Sequence, residues 1–297
     1  MEITKSAMIS VVGRPNVGKS TLTNRLVGTK VAIVSAKPQT TRTRITGVLN
    51  REGCQYVFLD TPGLHKPRSR LGDYMVKVVA ETVSEVDAAA LVVEPVADVG
   101  PAEESLIRQI KDAGMPSVLV INKIDSVPKE SLLAVIARYA QAHDFNAIVP
   151  VSARTGEGTD ELLAELEKFA LEGPQLFPED MVSDQPERQL AAEIIREKLL
   201  ILLDREVPHG VAVGIERMEE RDDGLVSIHA TIYCEKNSHK GIIIGKNGEM
   251  LKQVGQLARK DIERMLGTKV YLDLWVKVKE GWRNNQYQMR NFGYENE

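Results

Sequence analysis

The chain has 297 residues, of which 43% are hydrophobic and 27% charged. That composition excludes a disordered or fibrous protein, and at roughly 150 residues per domain the length predicts about two domains. The net charge is −4, and no apolar run approaches the ~18 residues needed to cross a bilayer. The two cysteines, Cys54 and Cys234, stand far apart without a CxxC pair, which argues against a disulfide scaffold or structural zinc site. The amino-terminal residues show no secretory core and no Arg-rich transit helix. A reduced, cytoplasmic protein is expected.

Through residue 170, near-continuous apolar runs alternate with amphipathic segments. Strands are predicted at 7–12, 56–60, 89–94, 117–122 and 147–152, and helices at 19–27, 71–83, 102–113, 129–141 and 160–171. Apolar strands alternating with helices imply a doubly wound, mostly parallel α/β sheet with loops for ligands at the strands' carboxyl ends. The stretch 173–186 holds three prolines and little periodicity, which predicts a linker. Beyond it the order becomes helix, strand, strand, helix, helix, strand, with a hairpin signal at 221–224. This order predicts a compact α+β domain over 187–297, and the first domain spans 1–172. Residues 236–283 hold 11 basic and 5 acidic residues, a bias suited to a phosphate backbone if a motif supports it.

Gly13-Arg14-Pro15-Asn16-Val17-Gly18-Lys19-Ser20 fits GxxxxGK[ST] between the first strand and the first helix. The glycines let successive N–H groups form an anion nest, and the helix adds its positive end. Lys19 would reach the β- and γ-phosphates, Ser20 would ligate Mg²⁺, and Thr21 would complete the triphosphate contacts. Asp60-Thr61-Pro62-Gly63 closes the next apolar strand. Asp60 is the candidate water-mediated Mg²⁺ holder, and the Gly63 N–H the candidate sensor of the γ-phosphate. Asn122-Lys123-Ile124-Asp125 closes a later strand. The Asp125 carboxylate would accept from guanine N1–H and its exocyclic amine, a donor pair that adenine lacks. Lys123 would cover the ring and Asn122 would tie loops together. In Ser152-Ala153-Arg154 the Ala153 N–H would donate to guanine O6. GTP and GDP are therefore the expected ligands, well ahead of ATP.

The threonine-rich Gln39-Thr40-Thr41-Arg42-Thr43-Arg44 lies where a Mg²⁺-ligating switch threonine belongs. Thr41 is favoured over Thr40. Leu64 stands where small signalling GTPases place a water-orienting glutamine, which predicts slow intrinsic hydrolysis. Asn16 is the candidate co-ligand of a monovalent cation, K⁺, with Lys19, Thr41 and Gly63 as the other catalytic candidates.

In the second domain, Lys240-Gly241-Ile242-Ile243-Ile244-Gly245-Lys246-Asn247-Gly248 contains a GxxG loop between helices, inside the basic window. Such a loop lets a nucleic-acid backbone approach closely. His239, Lys240, Gly241, Ile244, Gly245, Lys246, Asn247, Gly248 and Lys252 are the expected contacts to single-stranded RNA. Single-stranded DNA and a protein-docking role remain as alternatives. Trp275, in an alternating strand, reads as core, and Trp282 as the surface base-stacking candidate beside Tyr287 and Phe292. The histidines, His65 among them, show no metal-ligand spacing.

GRPNVGKS, QTTRTR, DTPGL, NKID and SAR, followed by IIGKNG, together resemble the Era family of bacterial GTPases over essentially the whole chain. The resemblance implies a G domain followed by a type II KH domain, GTP hydrolysis, and binding near the 3′ end of 16S ribosomal RNA. It also implies a role in maturing the 30S subunit and peripheral membrane association, for which the residues offer no amphipathic anchor; a monomer is expected. SAR in place of the commoner SAK should not matter if the backbone around Ala153 makes the contact.

Overall fold

The computed structural model describes residues 3–64, 67 and 69–294; His65 lies outside them. The chain divides into two units, one of Met1–Ala32, Thr41–Lys66 and Met75–Asp184, the other of Ile33–Thr40, Pro67–Tyr74 and Gln185–Glu297. Among the described residues no helix is long and apolar enough to cross a membrane.

Through residue 172 the order is β1 (Lys5–Val12), α1 (Lys19–Val27), β2 (Ile45–Arg51), β3 (Cys54–Asp60), α2 (Arg70–Ser84), β4 (Ala88–Val93), α3 (Pro101–Asp112), β5 (Ser117–Ile121), α4 (Leu132–Ala142), β6 (Ala147–Pro150), α5 (Thr159–Glu167) and β7 (Leu171–Glu172). The sheet runs β2-β3-β1-β4-β5-β6, and β7 pairs with the start of β1. β3, β1, β4, β5 and β6 are mutually parallel. Every residue of β3, β4 and β5 is buried, as strands covered on both faces must be. The strand order reverses at β1, with β3 on one side and β4 on the other, so the carboxyl ends of β1 and β4 form the switch point where such sheets bind ligands.

Two features were not legible beforehand. β2 is an antiparallel strand joined to β3 through Glu52 and Gly53, both at positive φ (52° and 79°). Two left-handed residues make the turn that suits a tight hairpin. Nor does the proline-rich stretch hang free. Gln55, fully buried, accepts from the N–H groups of Leu176 and Phe177 and donates to Phe177 O. The Val48 N–H donates to Val182 O, and the Thr46 hydroxyl to Asp184. A buried amide needs partners, and the stretch supplies them, so residues through Asp184 group with the first unit.

The second unit carries α6 (Glu187–Leu202), β8 (Ala212–Glu220), β9 (Val226–Cys234), α7 (Asn237–Ile244), α8 (Glu249–Leu266), β10 (Val270–Val278) and α9 (Gln286–Asn291). Its sheet runs β10-β9-β8, with β8 antiparallel and β10 parallel to β9. The helical crossover α7–α8 makes the parallel pairing possible. Val254, Ala258 and Ile262 of α8 bury one stripe against Ile228, Ala230 and Ile232 of β9.

The two tryptophans take places opposite to those expected. In β10 the inward phase belongs to Val270, Leu272, Leu274 and Val276, so Trp275 points out and is 62% exposed. Strand alternation fixes which residues share a face, not which face is core. Trp282 is fully buried; its indole N–H donates 2.9 Å to Gly210 O, and its ring meets Phe292 and Tyr294. Trp282→Ala should cost roughly 3–5 kcal/mol, the usual cost of truncating a buried tryptophan. Denaturant unfolding followed by far-UV dichroism checks this, and a change below about 1 kcal/mol would contradict the assignment.

Candidate functional sites

The loop after β1 is shaped by close approaches. A Cβ on Gly13 (φ 154°) would lie 2.4 Å from Val92 O, and one on Gly18 (φ 99°) would lie 2.3 Å from Asn122 Nδ2. Both positions require glycine. Asn122 uses the space: its amide donates 2.8 Å to Val17 O and its oxygen accepts from the Ala153 N–H at 3.0 Å. One side chain thus joins the phosphate loop to the loop after β6. The Ala153 N–H, the expected donor to guanine O6, is engaged by Asn122 in this structure.

Lys19 starts α1 and is buried, its ammonium donating to the carbonyls of Gly13 and Arg14 at 3.1 Å each. Asp60 ends β3 and is fully buried, and neither carboxylate oxygen makes a hydrogen bond of full geometry. Burial lowers Lys19 to about 8, the Asp60 charge working against it. Burial raises Asp60 to about 6, opposed by Lys19, the nearby Ser20 hydroxyl and the Thr61 N–H. Ionising Asp60 therefore costs stability as pH rises from 3.8 to about 6. Charging Lys19 costs stability as pH falls from 10.5 to about 8. Near neutral pH both are charged and both penalties stand.

The hydroxyls of Ser20 and Thr41 lie 2.9 Å apart, which brings together two of the three predicted metal ligands. The Thr40 hydroxyl instead donates to Lys37 O at 2.6 Å and meets Ser35, so the geometry favours Thr41. An ionisable carboxylate without full partners beside two hydroxyls is an oxygen donor set that fits a hard divalent cation such as Mg²⁺. Pro62 is buried and the Thr61 hydroxyl donates to Val11 O. A Cβ on Gly63 would lie 2.6 Å from the Pro15 backbone, so the two phosphate-facing loops touch. Leu64, half-buried, packs against the apolar cluster that includes Val12 and Val93 rather than presenting a polar group.

At the opposite end, Asp125 accepts from the Ser152 hydroxyl at 2.6 Å and pairs with Arg154 at 2.5 Å. The Ser152 bond, with Arg154 and Lys123, holds its carboxyl below the ordinary range, so it is an acceptor at neutral pH. Arg154, expected among the nucleotide-binding residues, is thus held by the base-selecting carboxylate itself. Its guanidinium, itself largely exposed, holds Asp125 Oδ2, and a pair at the surface is displaced at little cost. Lys123 (φ 64°) donates to Asn16 O and to Glu94, both at 2.6 Å.

Three supporting residues escaped the sequence reading. Glu94, directly after β4, bridges Arg14 of the phosphate loop and Lys123 of the base-facing loop. An acid at a strand's carboxyl end beside the switch point was the signal. Arg25 of α1 donates to the carbonyls of Ala153 and Arg154. Asn24 accepts from the N–H groups of Val31 and Ala32.

In the second unit, α8 and β10 border a groove of about 430 Å³ lined by Gly248, Leu251, Lys252, Gly255, Tyr271 and Leu274 among others. Gly245 and Asn247 adopt positive φ (73° and 52°), and Gly248 caps α8 at φ 79° with open space where a side chain would stand. Lys246, Asn247, Gly241 and Lys252 are exposed, and Lys240 and Ile244 half-buried. His239 is buried at the α7 side of the core, which removes it from the expected contacts. Gly255, a mid-helix glycine, sits against Leu274 and keeps the groove open where a side chain would fill it; a glycine inside a predicted helix was the signal.

Residues 8–123 match the 50S ribosome-binding GTPase family, and residues 206–283 match the KH domain. The GTPase Era of Ruminiclostridium cellulolyticum is 53% identical over 290 residues, covering 98% of this chain and 97% of its own. That of Clostridioides difficile is 51% identical over 292 residues, covering 98% of each. Among solved structures, a single-residue variant of Aquifex aeolicus Era bound to GDP·AlF4⁻ superimposes with a TM-score of 0.95 at 41% identity, covering 98% of this chain and all of its own. Era in complex with MgGDPNP and nucleotides 1506–1542 of 16S ribosomal RNA also scores 0.95, at 41% identity, covering 99% of this chain and all of its own. With the phosphate loop, the base-facing loop and the helix-bordered groove in one chain, the protein belongs to the Era family of GTPases.

Proposed function

We propose that this GTPase uses its first unit to bind GTP with Mg²⁺ and its second to bind unpaired RNA near the 3′ end of 16S ribosomal RNA. On this reading it acts as a nucleotide-timed factor in 30S subunit maturation. The observation that carries the RNA half is the groove between α8 and β10, with an open glycine-rich entrance and Lys246 and Lys252 beside it. Backbone approach at a GxxG loop and cationic contacts at the rim are how KH folds hold about four nucleotides. The RNA-bound Era relative at 41% identity supports the same reading.

In the first unit, Lys19, the Ser20 and Thr41 hydroxyls and Asp60 are the groups that would hold the triphosphate and its metal. Bound Mg²⁺ would neutralise charge between the phosphate oxygens. Asp125 would select guanine, and Asn122 and Glu94 would keep the phosphate and base ends in register. Leu64 has no polar group to orient the attacking water, so intrinsic hydrolysis is slow. Asn16, at positive φ in the phosphate loop, is the proposed co-ligand of K⁺, which would supply positive charge there. The chain is proposed to work as a monomer; peripheral membrane association rests on the family resemblance alone.

Gly248→Asp tests the RNA half. The position faces open space, and aspartate tolerates left-handed backbone, so the fold should survive while a carboxylate meets the phosphates. The variant should bind the 1506–1542 RNA at least ten-fold more weakly by filter binding, with GDP affinity unchanged. RNA binding equal to wild type would refute the groove. Turnover of the wild-type protein in K⁺ should exceed that in Na⁺; equal rates would dismiss the Asn16 role.

A further inference from the structure

The outer face of the β10-β9-β8 sheet, opposite the helices, carries an ordered aromatic surface that the groove does not use. Trp275, 62% exposed, has its indole N–H donated 2.8 Å to Asp273 Oδ2. The same oxygen lies 3.2 Å from His229 Nδ1 on the neighbouring strand. His229 in turn meets the Tyr271 ring edge-on at 6.1 Å, and the Arg221 guanidinium sits 5.3 Å above the Tyr271 ring. Tyr271 is 48% exposed. Side chains so tied lose little freedom when something stacks on them, which is how a binding surface is preorganised. Left without a partner, large aromatic surface in water is a cost that a purely structural sheet face would avoid by using polar residues.

Two observations point to the occupant. Tyr271 also lines the groove between α8 and β10, so the edge of β10 is where the groove and the outer face meet. A strand leaving the groove over that edge arrives on the rings. Tyr271 and Trp275 stand four residues apart on one face, ~13 Å, about the rise of four stacked nucleotides. On the charge side, Glu219 is paired with Arg217, Asp273 is held by His229 and Trp275, and Glu216 accepts from the Tyr233 hydroxyl, while the Arg221 guanidinium lies over the Tyr271 ring and donates to Ser227. Exposed rings with a guanidinium beside them suit stacked nucleobases with a phosphate in reach.

We propose that RNA held in the groove continues over the β10 edge onto the outer sheet face, where Trp275 stacks a base beyond the four in the groove. This rests on the groove reading above and extends it to a second subsite. Because the chain has two tryptophans and Trp282 is fully buried, Trp275 is also the spectroscopic reporter.

The full-length protein is titrated with overlapping four-nucleotide RNAs tiling the 1506–1542 sequence, and with the twelve-nucleotide window centred on the tightest tile. The twelve-nucleotide RNA should quench tryptophan emission. Trp275→Ala should weaken that RNA on the order of ten-fold, the usual size of one base–aromatic stack, and Trp275→Phe should lose less. The tightest tetranucleotide should bind wild type and Trp275→Ala alike. If Trp275→Ala binds the twelve-nucleotide RNA as wild type does, the second subsite is wrong while the groove stands. That result would leave the face to a protein partner. If no RNA binds wild type, or Gly248→Asp binds all of them undiminished, the groove reading falls and this one with it.

Discussion

The first unit is organised around two buried charges that no structural economy would place together. Lys19 opens a helix at the carboxyl end of β1, and Asp60 ends β3 beside it. Burial pushes the lysine down to about 8 and the carboxyl up to about 6. Their attraction offsets only part of each penalty, and the lysine turns to two backbone carbonyls for its hydrogen bonds. Two buried opposite charges without full partners are weak evidence for stability and much better evidence for a ligand that completes them. A polyphosphate and a divalent cation would supply the missing anion for Lys19 and the missing cation for Asp60.

The surrounding structure serves that centre. Gly13 and Gly18 allow the loop to close against β4 and Asn122, and Asn122 then ties the loop to the far end of the pocket. Glu94 makes a second tie, between Arg14 and Lys123. Errors in position at the phosphate end are therefore transmitted to the base end, which is the geometric basis for reading both halves of one nucleotide. The second unit repeats the principle with different means: positive-φ residues at the entrance of a groove, cations at its rim and a glycine in its wall.

Much of this was visible in the residues. The buried parallel strands announced themselves as unbroken apolar runs, and the phosphate loop, DTPG and NKID stood at strand ends where the sheet delivers them. What stayed hidden depended on distant partners. β2 has a mixed pattern and gains its identity from pairing with β3. The proline-rich stretch looks like a linker until Gln55 is seen to need its backbone. The phase of β10 decides which of two tryptophans faces water, and alternation alone does not reveal phase. Arg25 and Asn24 are ordinary helix residues whose roles come from loops far along the chain, and the Ala153 N–H was assigned to a ligand before Asn122 was known to take it.

The charges of Lys19 and Asp60 are a cost that bound nucleotide and metal would relieve. Thermal unfolding of Lys19→Met/Asp60→Asn at neutral pH, with and without Mg²⁺ and GDP, measures this directly. Without ligand the double variant should melt at or above the wild-type temperature, because it removes two buried charges whose desolvation is only partly offset. With ligand, only the wild type should gain, in proportion to its binding. A double variant that melts well below wild type without ligand, or that is stabilised by Mg²⁺ and GDP as strongly as wild type, would contradict it.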